Sequence, residues 1–294
     1  MKQGWKEKIR AFSDERWAIG LIETPLEEIL RGAEPTVRWI ADPHRRRRWF
    51  ADPFVLDADD ATVTLLAEEM YKPRGVKLGR ISRVVVDRRT MTITEVTPLL
   101  ELPTHLSFPA YYRADGEVFV YPENSEAGNL TLYHYTPDAL TPVATLCDEP
   151  VADAIITHAF GEPVLFATRR PNVNGNRLCI YRREGERFVM SEEITFGENT
   201  ARMAGNFFSI GGKVYRPAQE CNEQYGHAVV LQEVTHDGGE WQFGELRRLY
   251  STHPTLTVGS HTFNYHPQSG LIATDALGWD RRWFRRLLAT LHLH

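Results

Sequence analysis

The sequence predicts an all-β protein, a five-bladed β-propeller with short N- and C-terminal helical segments. Short apolar runs that each enclose a polar residue recur about every fifty residues, at 50–54, 105–109, 151–155, 202–206 and 261–265. Second runs that end in polar or charged residues follow about fifteen residues later, at 65–69, 120–123, 166–169, 216–220 and 272–275. A period of about 40 to 50 residues with several strands is typical of propeller blades. Equivalent strands then meet at one axis, so the polar residues of all five repeats should line it.

Four elements are expected before the first repeat. Residues 4–16 suggest a short amphipathic helix, 17–22 a strand, 24–30 a short capped helix and 37–40 a further strand. Thr24 followed by Pro25 is a typical helix start. A strand from residues 17–40 that pairs with the last blade would close the ring and remove the exposed sheet edges that invite aggregation.

The remaining chain reads as strands separated by Gly, Asp and Asn turns. We expect one domain over residues 1–294, with blades at about 50–100, 101–148, 149–198, 199–250 and 251–278. Residues 279–291 lack turn signals and suggest a terminal helix that carries four arginines. A β-sandwich also uses many short strands, but it gives no reason for a polar residue to recur in each repeat.

Composition excludes several function classes. The net charge of −5 argues against a general nucleic-acid binder. The sequence has no apolar stretch long enough for a transmembrane helix and no signal-peptide core, so a cytoplasmic location is expected. Three cysteines without metal-ligand spacing are expected to be free thiols. No phosphate-binding glycine loop and no HExxH motif occurs, so neither a cofactor nor a metal is predicted.

Two arginine-rich runs depart from the acidic average. They are Arg45–Arg48 and the group Arg281, Arg282, Arg285 and Arg286. Such runs are most often solvated surface. The alternative is a contact with phosphate or with an anionic membrane surface, which is compatible with peripheral membrane binding.

Seven carboxylates lie where they can reach the predicted axis: Asp52, Glu68, Glu69, Glu123, Asp153, Glu220 and Asp275. Glycosidic chemistry needs two carboxyl groups, one to protonate the leaving oxygen and one to activate water or attack directly. Asp52 is the candidate base or nucleophile, and Asp153 is the candidate orienting or modulating group. Either Glu123 or Glu220 is the candidate acid. The structural alternatives are a turn at Asp52 and internal salt bridges for the glutamates.

Further polar residues in the runs are candidates for substrate binding. They are Glu69, His105, Arg169, Arg202, Arg216, Gln219, Tyr225, His261 and Asp275. A buried arginine must either pair with a carboxylate or bind an anionic ligand such as a phosphate. Histidines can hydrogen-bond sugar hydroxyls or hold an ion on the axis, and Tyr225 can offer a stacking face. For the histidines and tyrosines, ordinary core packing is the alternative.

Several strings together resemble a known module. They are the segments 50–54, 67–69, 105–109, 121–125, 216–221, 225–226 and 261–264. In order and spacing they are similar to the five-bladed propeller at the N-terminus of plant glucosamine inositolphosphorylceramide transferases. More distantly, the chain resembles the propellers of glycoside hydrolase families 43, 32, 68 and 130. The distant resemblance implies that a blade-one Asp (Asp52) acts as base or nucleophile, that Asp153 modulates, and that a later Glu is the acid.

Two functions are therefore expected. The first is a carbohydrate-active enzyme, a glycosyltransferase or a glycosidase, that acts on a glycan or on a phosphorylated or nucleotide-activated sugar. The second is a non-catalytic module that binds a glycan or a partner, with carboxylates and arginines locked in internal pairs. An open axis with two separated carboxyl groups favours the first, and an axis filled with ion pairs favours the second.

Overall fold

The computed structural model describes residues 14–45, 47–71 and 78–280. These residues form five four-stranded antiparallel sheets, each the blade of a propeller. The prediction of an all-β, five-bladed propeller is confirmed.

Blades one to four are each built from four consecutive strands. Blade one contains β3–β6 (Arg48–Ala58, Thr62–Tyr71, Leu78–Asp87 and Thr92–Leu100). Blade two contains β7–β10 (Ser107–Ala114, Glu117–Glu123, Leu130–Thr136 and Ala139–Cys147), and Ser125–Ala127 add a 3-10 turn. Blade three contains β11–β14 (Val151–Thr157, Val164–Arg169, Arg177–Glu184 and Arg187–Thr195). Blade four contains β15–β18 (Phe208–Ile210, Lys213–Glu220, Ala228–Asp237 and Glu240–Tyr250).

Blade five joins the N-terminal and the C-terminal parts of the described chain. Its inner strands, β19 (Phe263–His266) and β20 (Leu271–Asp280), come from the C-terminal part of the described chain. Its outer strands, β1 (Asp14–Ile22) and β2 (Val37–Trp39), come from the N-terminal part. β1 pairs with β20 along nine residues, so the ring is closed by main-chain hydrogen bonds.

The predicted helices have different outcomes. The helix expected at 24–30 forms as α1 (Leu26–Leu30). The helix expected at 4–16 is wrong for residues 14–16, which belong to β1, and its remainder lies outside the described residues. Likewise, residues 279 and 280 of the expected terminal helix are the end of β20, and the rest of that segment lies outside the described residues. In both places the strand gains a full partner, which overrides local preference.

Apolar side chains fill the space between neighbouring blades. Aromatic pairs bridge blades one and two (Phe54 and Phe108, ring centroids 5.1 Å apart) and blades three and four (Phe166 and Trp241, also 5.1 Å). Edge-to-face pairs of this kind add about 0.5–1.5 kcal/mol beyond their buried area. This packing holds the inner strands, and thus the axial residues, at fixed positions.

Candidate functional site

The innermost strands of blades one, two and three carry the same irregularity. At Asp52, Phe108 and Asp153 the backbone is left-handed, with φ of 49°, 43° and 46°. At each point the register with the next strand shifts. A β-bulge of this kind bends the strand and releases an N–H group from the ladder.

Each released N–H group donates to a carboxylate of the preceding blade. The N–H of Asp52 donates to Asp275 Oδ2 (3.3 Å), that of Phe108 to Asp52 Oδ2 (3.1 Å), and that of Asp153 to Glu123 Oε2 (3.3 Å). A left-handed conformation costs a residue other than glycine about 1–2 kcal/mol. A hydrogen bond to a charged group contributes about 1.5–3 kcal/mol and so offsets that cost. The bulges therefore link blades five, one, two and three in sequence.

One residue of each second strand lies beside the bulge position. In the first three blades, the register pairs Ala51 with Glu68, Ser107 with Glu123 and Ala152 with Thr168. In blade four the Gln219 N–H donates to the backbone carbonyl of Arg202, and in blade five Asp275 Oδ1 accepts the N–H of Thr262. The inner ring of second-strand side chains is thus Glu68, Glu123, Thr168, Gln219 and Asp275. Their chain neighbours point to the opposite face of the sheet, because strand side chains alternate.

Asp52, His261 and Asp275 form a buried charge triangle. His261 Nδ1 lies 2.7 Å from Asp275 Oδ2, and His261 Nε2 lies 3.6 Å from Asp52 Oδ1. Thr262 Oγ1 lies between the two carboxylates, and Trp17 stacks on the imidazole at 4.0 Å. Burial disfavours the imidazolium, but the two carboxylates outweigh it and raise the pKa of His261 to about 9. The histidine is therefore a fixed cation at neutral pH.

The two carboxylates of the triangle differ in their pKa values. Burial raises the pKa of Asp52 to about 6, although His261 opposes this shift. Burial also disfavours the ionised form of Asp275, but the charge of His261 and the hydrogen bonds from His261 and Thr262 outweigh burial and lower the pKa of Asp275. Asp275 therefore stays ionised, while Asp52 exchanges its proton near neutral pH, as a general base should.

The triangle also has the donor atoms of a metal site. One ligand atom from each of Asp52, His261 and Asp275 lies within 4.8 Å of the others. The imidazole nitrogens face the two carboxylates directly, so the histidine proton supplies the positive charge that a metal ion would bring.

A second charged group joins blades two, three and four. Arg202 donates to Asp153 through Nε (2.6 Å) and Nη2 (3.2 Å), and to Glu123 Oε2 through Nη2 (3.2 Å). Gln219 Nε2 donates at 2.5 Å to Asp153 Oδ2, the oxygen that also accepts from Arg202 Nε. The ring of Tyr225 packs against the guanidinium at 4.9 Å. Burial and the nearby Glu123 raise the pKa of Asp153 to about 7, against the pull of Arg202. The structure thus brings five of the predicted site residues into one contact network.

Glu68 is the axial carboxylate with the fewest contacts. Its Oε1 atom is buried without a hydrogen-bond partner, and Nε2 of His105 lies 3.4 Å from it. Burial and the charge of Asp52 hold the pKa of Glu68 well above its ordinary value. Glu68 is one of the seven carboxylates predicted to reach the axis, but no role is predicted for it from the sequence. Strand alternation relative to Ala51 and Asp52 was the signal that could have found it.

Three predicted residues face away from the axial network. Glu69 accepts from Ser82, Arg80 and Arg48 within blade one. Arg169 pairs with Glu149 on the partly exposed side of blade three. Glu220 binds His227 and the N–H of Asn222 near the end of its strand.

Arg216 is predicted to bind substrate, and the structure places it in the core of blade four. Its guanidinium is fully buried, donates to the carbonyls of Thr200 and Ala201 and to Gln232 Oε1, and lies over two phenylalanine rings. Its donors are directed at these protein acceptors, and the contacts of Arg216 are those of a structural residue.

No helix in the described part of the chain is long and apolar enough to cross a membrane. Solved structures of similar fold include the GH43_1 enzyme from Xanthomonas citri, with a TM-score of 0.53 and 9% identity over 78% of this chain and 87% of that one. A thermostable family-43 glycoside hydrolase is similar at a TM-score of 0.50 and 13% identity, over 79% and 88% of the two chains. At these identities the likeness establishes the fold alone.

Sequence comparisons identify the family. The rice glucosamine inositolphosphorylceramide transferase 1 (Oryza sativa subsp. japonica) is 30% identical over 141 residues, which cover 44% of this chain and 19% of the relative. The Arabidopsis thaliana protein of the same name is 24% identical over 144 residues, covering 44% and 18%. The match spans about a fifth of the length of these curated relatives. The family model described as glucosamine inositolphosphorylceramide transferase 1, N-terminal, matches residues 36–251, well over half of the chain, and the protein belongs to that family.

Proposed function

We propose that this propeller is a carbohydrate-active enzyme that acts at its axis on a glycan or an activated sugar, by transfer or by hydrolysis. The observation that carries the proposal is the convergence of acidic groups at the axis. Asp52 and Asp153 occupy equivalent bulges of two blades, are buried, and have pKa values of about 6 and 7. Acidic groups that titrate near neutral pH are those that general acid–base catalysis uses.

In this proposal Asp52 is the base that removes a proton from the attacking hydroxyl or water. The His261 imidazolium and the Phe108 N–H hold its two oxygens in place. Asp153 acts as a modulating group: it accepts hydrogen bonds from Arg202 and Gln219, and its pKa of about 7 lets its charge change near neutral pH. The half-buried ring of Tyr225 offers a face on which a sugar can stack.

The names of similar proteins support the same class. The curated relatives are named glucosamine inositolphosphorylceramide transferase 1, and one of the fold neighbours is named a family-43 glycoside hydrolase. A phosphorylated or nucleotide-activated donor and a cytoplasmic location belong to the proposal as well.

The second candidate is a binding module without catalysis. Arg202 binds two carboxylates and an amide, and Asp52 is only 3% exposed, so much of the charge at the axis is already satisfied by the protein. In a pure binding module the geometry of the ion pairs, rather than proton transfer, would matter.

The experiment compares Asp52→Asn with Asp57→Asn, a matched change of an exposed carboxylate on the same strand. Both variants and the parent chain are assayed for turnover and for thermal stabilisation with sugar nucleotides, sugar phosphates and aryl glycosides. The enzyme proposal expects a ligand that stabilises all three proteins and turnover that only Asp52→Asn lacks. Binding that persists in all three, with turnover in none, would establish the binding module instead.

A further inference from the structure

We propose that Glu68 is the proton donor of the axial site and that His105 is the residue that positions it. The inference rests on the proposed function, because a proton donor is needed only if a glycosidic oxygen leaves at this site. It assigns to blade one both halves of the acid–base pair, Asp52 on the first strand and Glu68 on the second.

The contacts of the other axial glutamate leave it unsuited to the role. Glu123 Oε1 accepts from Ser125 Oγ at 3.0 Å, and its Oε2 accepts from Arg202 and from the Asp153 N–H. Both oxygens are thus used by protein donors. Glu68 Oε1, in contrast, is buried without a hydrogen-bond partner among the described residues, so no protein donor competes for this carboxyl as donors do for Glu123.

His105 has a fixed tautomer. Its Nδ1 accepts the backbone N–H of Gly79 at 3.0 Å, so the ring hydrogen of the neutral imidazole lies on Nε2. Nε2 faces Glu68 Oε1 at 3.4 Å. Burial lowers the pKa of His105, although Asp52 and Glu126 oppose this. A neutral N–H donor therefore faces Oε1 and leaves Oε2 to carry the acidic proton.

His105 also lies between the buried carboxyl and the surface. Its side chain is 34% exposed, whereas that of Glu68 is 7% exposed. The carboxyl is therefore close enough to solvent for a spent proton to be replaced, and sufficiently desolvated to keep it. Burial of this kind is the common way in which a carboxylic acid stays protonated at neutral pH.

The contact between Glu68 and His105 requires a glycine at position 79. A Cβ at this position would lie 2.4 Å from Leu106 O, 2.6 Å from Glu68 Oε1 and 2.8 Å from His105 Cε1. Real Cβ atoms do not approach other atoms so closely, so residue 79 can place its N–H against the imidazole only as glycine. Gly79 thus leaves room for the Glu68 carboxyl and, through its N–H group, holds His105.

In the proposed step the bond between the anomeric carbon and the leaving oxygen breaks. Its electron pair stays on that oxygen, which takes the proton of Glu68. The oxygen of water or of an acceptor hydroxyl forms the new bond to the anomeric carbon and gives its proton to Asp52. Glu68 is left ionised and Asp52 protonated, and exchange with solvent restores both.

The test uses two substrates that differ in their leaving group, an alkyl glycoside and a nitrophenyl glycoside of the same sugar. A nitrophenolate leaves without protonation, so Glu68→Gln should lose about 100- to 10,000-fold in kcat on the alkyl glycoside and far less on the nitrophenyl one. Glu123→Gln is the matched control and should affect the two substrates equally. An equal loss on both substrates for Glu68→Gln, or the leaving-group dependence in Glu123→Gln instead, overturns the inference while the proposed function stands.

His105→Gln tests positioning. It should lower kcat on the alkyl glycoside without raising KM, and it should shift the alkaline limb of the pH–rate profile, which a merely structural role would leave in place. A readout without substrate is the infrared band of a protonated carboxylic acid at neutral pH, which should weaken in Glu68→Gln and persist in Glu123→Gln. If Glu68→Gln leaves that band unchanged, Glu68 is ionised and the inference fails, whatever the fate of the proposed function. If no variant, including Asp52→Asn, affects turnover, the proposed function itself fails.

Discussion

Replacing Arg202 by Met tests whether the central ion pairs hold the propeller together. Arg202 is the shared partner of Asp153, Glu123 and the amide of Asn174, and its pairs with the two carboxylates are almost wholly buried. Methionine keeps the length and packing of the side chain but removes the charge. Removing one member of a buried ion pair typically costs about 3–5 kcal/mol, because the remaining charge is left without compensation.

Arg169→Met is the matched control. Like Arg202, Arg169 pairs with a glutamate, but the side chains of Arg169 and Glu149 are 38% and 32% exposed. Water screens such a pair, so its loss should cost at most about 1 kcal/mol. Urea unfolding with linear extrapolation measures both changes on the same scale.

A double variant tests the assignment further. Asp153→Asn removes the charge that Arg202→Met leaves unpaired, and asparagine tolerates the left-handed backbone at this position. The double variant should therefore be more stable than the sum of the two single effects indicates, by about 1–3 kcal/mol. The reasoning is refuted if Arg202→Met costs no more than Arg169→Met, or if the two changes at Arg202 and Asp153 are additive.

Two further predictions concern stability. The folded-state pKa of about 9 for His261 exceeds its ordinary value of 6.5, so its stabilisation is complete below pH 6.5 and is lost as pH rises through 9. The unfolding free energy should fall by about 3 kcal/mol over that window in urea titrations, and Asp275→Asn should shrink the fall; a flat profile would contradict the charge triangle. Gly205→Ala should cost more than about 3 kcal/mol, because its Cβ would lie 2.2 Å from the carbonyl oxygen of Phe263. Gly161→Ala is the control for backbone strain, because φ is also positive at Gly161 but a Cβ there meets nothing within 4 Å. A larger loss for Gly205→Ala than for Gly161→Ala in the same thermal scan measures the clash.

The number of blades could be predicted from the sequence because it depends on a repeat length. Each blade needs four short strands and their turns, which fixes a period that the apolar runs display directly. The short helix at Leu26–Leu30 was also predictable from a local signal, the Thr-Pro start. Closure of the ring by a strand from residues 17–40 was predicted and is confirmed, but the extension of the paired strands into residues 14–16 and 279–280 was not predicted. The partners in β1 and β20 lie 250 or more positions apart, and no local pattern reports how far their pairing runs.

In two blades the predicted second-strand residue lies one position past the axial one. Glu69 and Arg169 are predicted to bind substrate, whereas Glu68 and Thr168 occupy the axial positions of blades one and three. In blade four both Gln219 and Glu220 are predicted, and Gln219 is the one that joins the axial network. In a strand, a displacement of one residue exchanges the two faces completely. The charge of a residue was therefore a poorer guide than its position relative to the first strand, which only the register determines.

Phe108 shows most clearly what the bulges are for. It occupies in blade two the position that Asp52 and Asp153 occupy in blades one and three, and it accepts the same left-handed backbone with a bulky apolar side chain. It therefore offers no chemistry in return for the conformational cost. Its N–H donates to Asp52 Oδ2, so the bulge in blade two serves the carboxylate of blade one.

The other two bulges act in the same way, since the N–H of Asp52 donates to Asp275 and the N–H of Asp153 donates to Glu123. A strained backbone at this axis is thus explained by contacts between blades and is not by itself a sign of catalysis. What those contacts leave unexplained is a buried carboxyl that none of them satisfies, and Glu68 is that carboxyl among the axial acids of the described chain. A scaffold role accounts for the bulges, the triangle and Arg202, whereas the contacts between blades leave Glu68 Oε1 unused, and the proposed proton donor is therefore sought there and not at the bulges.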